Sequence, residues 1–568
     1  MGQTTNRCRY RRDYLDYESG KPVIYECPRQ AITERGFCEF HDPDYWREHE
    51  GEVRSKFEEM VKRAQENNEE LLCIGFNLPS VVVRGEFEKP VCFSFTEFHQ
   101  VADFSNVKFH QVVDFSNVKF HNEARFSGTE FHHKAKFFAA KFHQVADFFD
   151  AKFHNEAGFS GTEFNHIAEF SIAKFYHEAK FSIAEFNYKA VFFGTEFHHK
   201  ADFSATKFHN DAVFSGTEFN HIAEFSNVKF HQVVDFSATK FHNEARFSGT
   251  EFHHKAKFFA TKFHQVVDFS DAKFHNEARF SGTEFHHKAD FSYTVFNSRT
   301  EFIGTRLIFS TSDYIKDKGI YDSLEHISFR DARFSKPSEV LFDRVYLGRV
   351  SFINCNIERV NFRNVIWKEE RSDRYVVFDE ELLAIKANQR LREELEQRRV
   401  KEEVEEILEN PDITLDNVLS VYRRLRENYD YNLKYIESGK FFVSEMEVRR
   451  LYREVGTEVV YNNWFRRNLS ITNVYKLLCL YGESHIRPIV LMLTVILIST
   501  VLRLILHSNL GIPLDINTIL GAVEDSVRAF FQMGGVTGID LAERLLSIPI
   551  LGVLTLSLRR KFERRFRH

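Results

Sequence analysis

Tryptophan and methionine are scarce in this chain, 3 and 5 residues of 568. Its apolar content is therefore not that of an ordinary core, which draws on all the large side chains. A charge imbalance is also missing: 76 basic against 82 acidic residues leave a formal net charge of −6. That excludes both a polyanion and the polycation that binds nucleic acid electrostatically, so no nucleic-acid partner is expected. Seven cysteines, odd in number and scattered, make no disulfide framework and fit a reducing compartment. Residues 1–12 carry basic side chains without the apolar segment of a secretory signal, which argues for a cytoplasmic N-terminus.

Phenylalanine, by contrast, is in excess, with 63 residues, and its positions are periodic. From Phe98 they run Phe104, Phe109, Phe115, Phe120, Phe126 and Phe131, and alternating steps of six and five continue to Phe302. The unit is typified by Phe120-His-Asn-Glu-Ala124-Arg-Phe126-Ser-Gly-Thr129-Glu130, with a small or apolar residue two places before each Phe. A near copy of 120–153 recurs at 241–274, which points to growth by duplication. An α-helical supercoil also has an eleven-residue repeat. At about 100° per residue, however, Phe120, Ala124, Phe126 and Thr129 would fall near ~0°, ~40°, ~240° and ~180°, all round the helix. Strict period-two strands fail as well, because Phe recurs at odd and even steps. What survives is a coil of very short strands, with one large and one small residue inward on each side and a tight turn at each corner.

The stretch Leu341-Phe342-Asp-Arg-Val345-Tyr-Leu347-Gly-Arg-Val350-Ser-Phe352-Ile-Asn-Cys355-Asn-Ile357-Glu-Arg-Val360-Asn-Phe362 has an apolar centre every five residues and continues to Val365 and Trp367. It resembles the pentapeptide repeat, and that resemblance implies a right-handed quadrilateral parallel β-helix over roughly 93–367, interrupted around 311–332. The 98–302 block departs by one residue on every second side, giving 22 rather than 20 per coil, which suggests a regular bulge. About nine coils at about 4.8 Å each give a spacer roughly 45 Å long.

On the outside, the residue after alternate Phe is usually His. One column holds His99, His121, His143, His209, His231, His253 and His275 with Asn165 and Asn187; a second holds His110, His132, His154, His198, His242, His264 and His286 with Tyr176 and Asn220. Stacked imidazoles bind metal or titrate, but free exchange with Asn and Tyr favours a polar ladder inherited by duplication. The repeats carry no Ser/His/Asp, paired-carboxylate or phosphate-cradling pattern, and Gly128-Thr and Gly161-Thr read as corners rather than P-loops. No enzyme is expected.

Before the repeats, Cys8, Cys27, Cys38 and His41 are spaced Cys-x18-Cys-x10-Cys-x2-His. Three thiolates and an imidazole satisfy a closed, structural tetrahedral zinc site; the alternative is a loop with unliganded thiols. Glu52 to Leu72 then reads as an amphipathic helix docking on the first coil. Domains are expected at 1–50 (Cys/His segment), 51–92 (helix and cap), 93–367 (β-helix), 368–484 (helical linker) and 485–568 (membrane module).

The region 415–568 resembles the helical linker and membrane part of some prokaryotic pentapeptide-repeat membrane proteins, on Tyr422-Arg-Arg-Leu425, Trp464 and Tyr475 to Pro488. Ile489–Leu506 is long and apolar enough to span, with Arg503 near its end and able to snorkel. A second run, Leu541–Leu558, precedes Arg559, Arg560, Lys561, Arg564, Arg565 and Arg567, which places both ends of a two-span module in the cytoplasm; the alternative is a single span with 541–558 interfacial. Between the runs, Asp525 to Asp540 resembles the pore helix and filter of two-span ion channels, with Gly534, Gly535, Thr537 and Gly538 as pore-like positions. It departs from the Thr-x-Gly-Tyr/Phe-Gly filter that aligns carbonyls on potassium, so a degenerate channel fold serving as anchor, and open to self-association, is expected.

The favoured function is a membrane-anchored, non-enzymatic scaffold that presents a rigid β-helix to a cytoplasmic protein partner. The alternative is an ion channel subunit with a cytoplasmic regulatory β-helix. DNA mimicry toward type II topoisomerases, a role of some pentapeptide-repeat proteins, would need a strongly acidic surface, whereas these faces interleave both signs.

Overall fold

In the computed structural model of the protein, the residues described are 7–15, 21–308, 314–315, 320–321, 324–370, 373–396, 401–456, 458–510, 513, 515–534 and 538–566. They fall into two compact units, Met1–Ile366 and Trp367–His568.

The first unit is a four-sided parallel β-helix. Its strands are mostly two residues long, and each pairs in parallel with its equivalent one coil on, making sheets of 11, 13, 12 and 13 strands. In the Phe-rich block the register advances 22 residues, as in Lys119↔Lys141 and Phe120↔Phe142. Near the end it advances 20, as in Leu341↔Asn361 and Phe342↔Phe362.

Sequence dictates this coil through its inward pairs. Each core Phe is fully buried, and so are the small residues two places earlier, among them Ala102, Val107, Val113 and Ala124. Phe rings stack on the ring one coil away: Phe192 lies 5.0 Å from Phe170 and 4.9 Å from Phe214, nearly parallel to both. Where the small residue is Thr, its hydroxyl is satisfied by a carbonyl of the preceding coil, Thr129 Oγ1 to Phe104 O at 2.8 Å and Thr195 Oγ1 to Phe170 O at 2.8 Å. A buried hydroxyl without such a partner would be costly.

The two kinds of corner differ. After Phe104, Phe115 and Phe126 the chain turns tightly, with Asn106, Asn117 and Gly128 in the left-handed region at φ 59°, 58° and 66°. The Phe carbonyl accepts from the residue three places on, as in Thr129 N to Phe126 O at 3.1 Å. The alternate corners, beginning at the His column, contain no left-handed residue among those described. Each holds one of the two additional residues of the 22-residue coil. Because every coil repeats them in the same corners, the strands stay paired one to one, and the expected bulge is absent.

The coil also starts earlier than the Phe period indicated. Leu71–Leu72 already pairs with Val91–Cys92, so 71–92 forms coil rather than cap, packed with Ile74, Leu78, Val81 and Val83 instead of a Phe series. The amphipathic helix is Glu50–Asn67, burying Val53, Phe57, Val61 and Ala64 and ended by Asn68 at φ 53°. The break in the repeats is an excursion containing an antiparallel pair, Tyr314–Ile315 with Ile320–Tyr321. The coil resumes where Ile327–Ser328 pairs with Ala289–Asp290.

The second unit is mainly helical. Leu415–Tyr431, whose start is capped by Thr414 through Asn417 N, packs against Tyr435–Leu451. Two short antiparallel pairs, Lys368–Glu370 with Arg374–Val376 and Tyr452–Val455 with Glu458–Tyr461, lie in the segment expected to be a helical linker. Three helices follow: Ile486–Asn509, Ile516–Phe530 and Gly538–Phe566. The first and last are long and apolar enough to cross a membrane. Leu493, Leu497, Leu545 and Leu556 on them are exposed.

Candidate metal centre and repeat surface

The hairpin Arg11–Leu15 with Pro22–Glu26 draws the first two cysteines together: Cys8 N donates to Arg29 O and Cys27 N to Tyr10 O, at 2.9 and 3.0 Å. A tight turn, with His41 N donating to Cys38 O at 3.1 Å, brings the other two. All four side chains are buried and the three cysteines are reduced. Cys27 Sγ lies 3.9 Å from Cys38 Sγ, and His41 Nδ1 lies 3.1 Å from Cys38 Sγ and 3.5 Å from Cys8 Sγ. A tetrahedral ion with metal–sulfur bonds of about 2.3 Å and metal–nitrogen bonds of about 2.0 Å has edges of roughly 3.5–3.8 Å. The cluster could therefore bind a metal.

Its surroundings fix the imidazole for that role. His41 Nε2 is 2.9 Å from the Ile74 carbonyl, which can only accept, so Nε2 carries the proton and Nδ1 presents its lone pair to the thiols. Tyr10 stacks on the ring at 3.9 Å. Without metal the thiols share protons unequally: the hydrogen bond with Cys38 holds Cys27 below its ordinary value, while that bond and burial push Cys38 up to about 12. A bound cation would have to expel these protons. The knuckle also abuts the first coil, where Phe40 stacks on Phe76 at 4.5 Å and Asn77 N donates to Phe40 O.

On the repeat surface, the expected His columns are real ladders. His209, His231, His253 and His275 stack at 4.9, 4.9 and 4.6 Å, and His110, His132 and His154 at 4.8 and 4.7 Å. Where His gives way to Asn the ladder continues by hydrogen bonds, Asn187 to Asn165 at 2.7 Å, with Asn165 also 3.3 Å from His143 Nδ1. Sequence reading missed the acidic partners. Glu97, Glu130 and Glu251, each two places before a ladder His and so on the same strand face, form groups with His99/His121, His132/His154 and His253/His275. Lysines cross-link coils in the same way, as in Lys119–Glu97 and Lys207–Glu185, both at 2.7 Å.

Burial, and then the charge a neighbouring ladder His would carry, lowers His99 to about 4 and depresses His143, His154, His231, His264 and His275. An unfolded chain protonates these side chains near 6.5, before the coil does, so stability is full above that pH and declines as pH falls from about 6.5 toward the lower folded values. Glu86, Glu97 and Glu130 are held below their ordinary 4.5, so their contribution fades only at more acidic pH. The urea midpoint of the first unit is expected to drop between pH 7.5 and 5, and to drop less after Asn replaces His231 and His275. A midpoint constant across that window would contradict the ladder electrostatics.

The family model described as "Pentapeptide repeats (9 copies)" matches residues 93–141, 192–240 and 214–262. These two stretches of the coil, 93–141 and 192–262, are similar to pentapeptide repeats. No curated protein and no solved structure matches the chain. Throughout the coil the left-handed residue two places after alternate Phe is the recurring corner, and Gly, Asn, Ala, Asp and Ile all occupy it.

In the helical unit, Arg503 does not snorkel. It is buried, with Nε donating to Ser526 Oγ at 3.0 Å and Nη2 to Asp540 Oδ1 at 2.6 Å and Glu543 Oε2 at 3.0 Å. The signal in the sequence was Asp540 and Glu543, three apart and so on one helix face at the start of an apolar run. Of the pore-like positions, Gly535 and Thr537 lie outside the described residues. Gly534 is exposed at φ 89°, and its carbonyl and that of Met533 accept from Arg544 Nη2 at 2.8 and 3.0 Å. Gly538 begins the last helix.

Proposed function

We propose that the protein is a membrane-anchored, non-enzymatic scaffold: a zinc-capped pentapeptide-repeat coil held at the cytoplasmic face and offering its ladder faces to a protein partner. The observation that carries this reading is the union in one chain of a coil whose interior is filled by Phe, Ala, Val and Thr with two helices apolar enough to span. A filled interior leaves the outer faces as the working surface. Zinc is the metal because three thiolates with one imidazole suit it, and four buried protein ligands leave no position for substrate. Basic residues at Arg466, Arg467 and Arg487 and after Leu558 favour a cytoplasmic location for both ends of the module. Exposed leucines on the spans leave room for self-association within the bilayer.

The channel reading draws on the helix Ile516–Phe530 between the two spans. It is the weaker one, because carbonyls lining a pore must be free to replace water around an ion, and those of Met533 and Gly534 are engaged by Arg544 of the same chain. DNA mimicry is disfavoured by the Lys–Glu pairs that neutralise the faces.

The full chain is expected in the membrane fraction, resistant to carbonate extraction, and a chain ending at Ile366 in the soluble fraction. A full-length chain recovered in the carbonate supernatant would overturn the anchor.

A further inference from the structure

The cluster around Arg503 has one cation and two carboxylates. Arg503 comes from the first apolar helix, Asp540 and Glu543 from the last, and Ser526 from the helix between them. Glu543 is 1% exposed and Asp540 7%. With every group ionised, these four side chains would together carry a net negative charge inside the helix bundle. Burying an uncompensated charge is costly even after relaxation, and more so at membrane depth.

The hydrogen bonds show where the surplus falls. Asp540 has the shorter bond to Arg503, 2.6 Å against 3.0 Å for Glu543. Glu543 Oε1 is buried and makes no well-formed hydrogen bond, with the Ser499 hydroxyl beside the carboxyl. The same side chain lines a cavity of about 280 Å³ between the two apolar helices, whose other walls include Val495, Ile498, Leu502 and Leu546, with Ser499 as a further polar group. A metal ion there would need several oxygen ligands, and the cavity wall offers too few. A proton needs one.

We propose that Glu543 is a proton-binding site: the acid is protonated, so that Arg503 and Asp540 form a neutral pair beside it, and loss of that proton destabilises the packing of the three helices. The charge argument rests on the reading of these helices as membrane-embedded.

The test is labelling of the full-length protein in native membranes with dicyclohexylcarbodiimide, an apolar reagent that adds to protonated carboxyls. The carboxyl proton passes to a carbodiimide nitrogen as the carboxylate oxygen bonds to carbon, and acyl migration leaves a stable N-acylurea carrying the mass of one reagent molecule. Peptide mass spectrometry is expected to find the adduct on Glu543, in yield that falls as pH rises, and to find none there in Glu543→Gln. Glu543→Gln, which imitates the neutral acid, should melt at the wild-type temperature and lose pH dependence, whereas Asp540→Asn should melt several degrees lower. Chain in the membrane pellet with Glu543 unmodified at pH 6, or Glu543→Gln as destabilised as Asp540→Asn, would overturn the proton assignment while leaving the anchor intact. Chain in the supernatant would overturn the anchor and the charge argument together.

Discussion

Replacing Phe192 with Ala is expected to destabilise the repeat unit by about 3 to 5 kcal/mol, the range for truncating a buried aromatic in a close-packed core. Phe192 is wholly buried, sandwiched by Phe170 and Phe214 and met edge-on by Phe181 and Phe203 at 5.5 and 5.4 Å. The backbone cannot collapse into the space, because each strand is tied by hydrogen bonds to both neighbouring coils, Phe192 N to Val213 O and Thr195 Oγ1 to Phe170 O among them. Coils several turns away keep their own neighbours, as the nearest-neighbour energetics of stacked repeats require, so the loss is local. His198→Asn is the control. Its ring stacks on Tyr176 at 4.9 Å and its Nε2 meets Glu196 at 3.1 Å, with the side chain 37% exposed. Asn already stands at 220 in the same ladder and at 165 and 187 in the other one, so the change should cost no more than about 0.5 kcal/mol. Urea unfolding of residues 1–366 measures both. Equal destabilisation would refute the inward placement of Phe.

The Phe period was legible because each core position is filled from its own coil: one residue type, recurring at a fixed step, fixes which side chains face in. The same logic exposed the His columns. It failed at Leu71–Val83, where Leu, Ile and Val perform the same packing without a period strong enough to stand out. It also failed on the location of the additional residues, since a spacing of six locates a longer side and not the part of it that bends. Ladder carboxylates such as Glu97 and Glu251 went unremarked although the strand period places them beside His99 and His253. The Arg503 cluster was legible only in part, in the spacing of Asp540 and Glu543, for a different reason. Whether an arginine near a helix end reaches water or a neighbour depends on which faces of three helices meet, and that is a tertiary outcome.

Cys38→Ala is expected to abolish metal binding and to loosen the N-terminal end of the coil. Protein purified without chelator should contain about one zinc per chain, and the variant none, because removing one of four ligands opens a site whose affinity depends on all four. Structural zinc in small domains carries an apparent binding free energy of about 10–16 kcal/mol near neutral pH, most of which here would hold together a hairpin and a turn that have little core of their own. The consequence reaches the repeats through His41, bonded to the Ile74 carbonyl, and through Phe40, stacked on Phe76. An end coil has a neighbour on one side only, so it is the coil most dependent on its cap. Amide exchange should therefore accelerate at 71–83 in the variant and in chelator-treated wild type, while the strands around Phe192 keep their protection. Zinc-free wild type with unchanged exchange at 71–83 would mean that the four residues are packed thiols and imidazole without a metal, and that the knuckle caps the coil by contact alone.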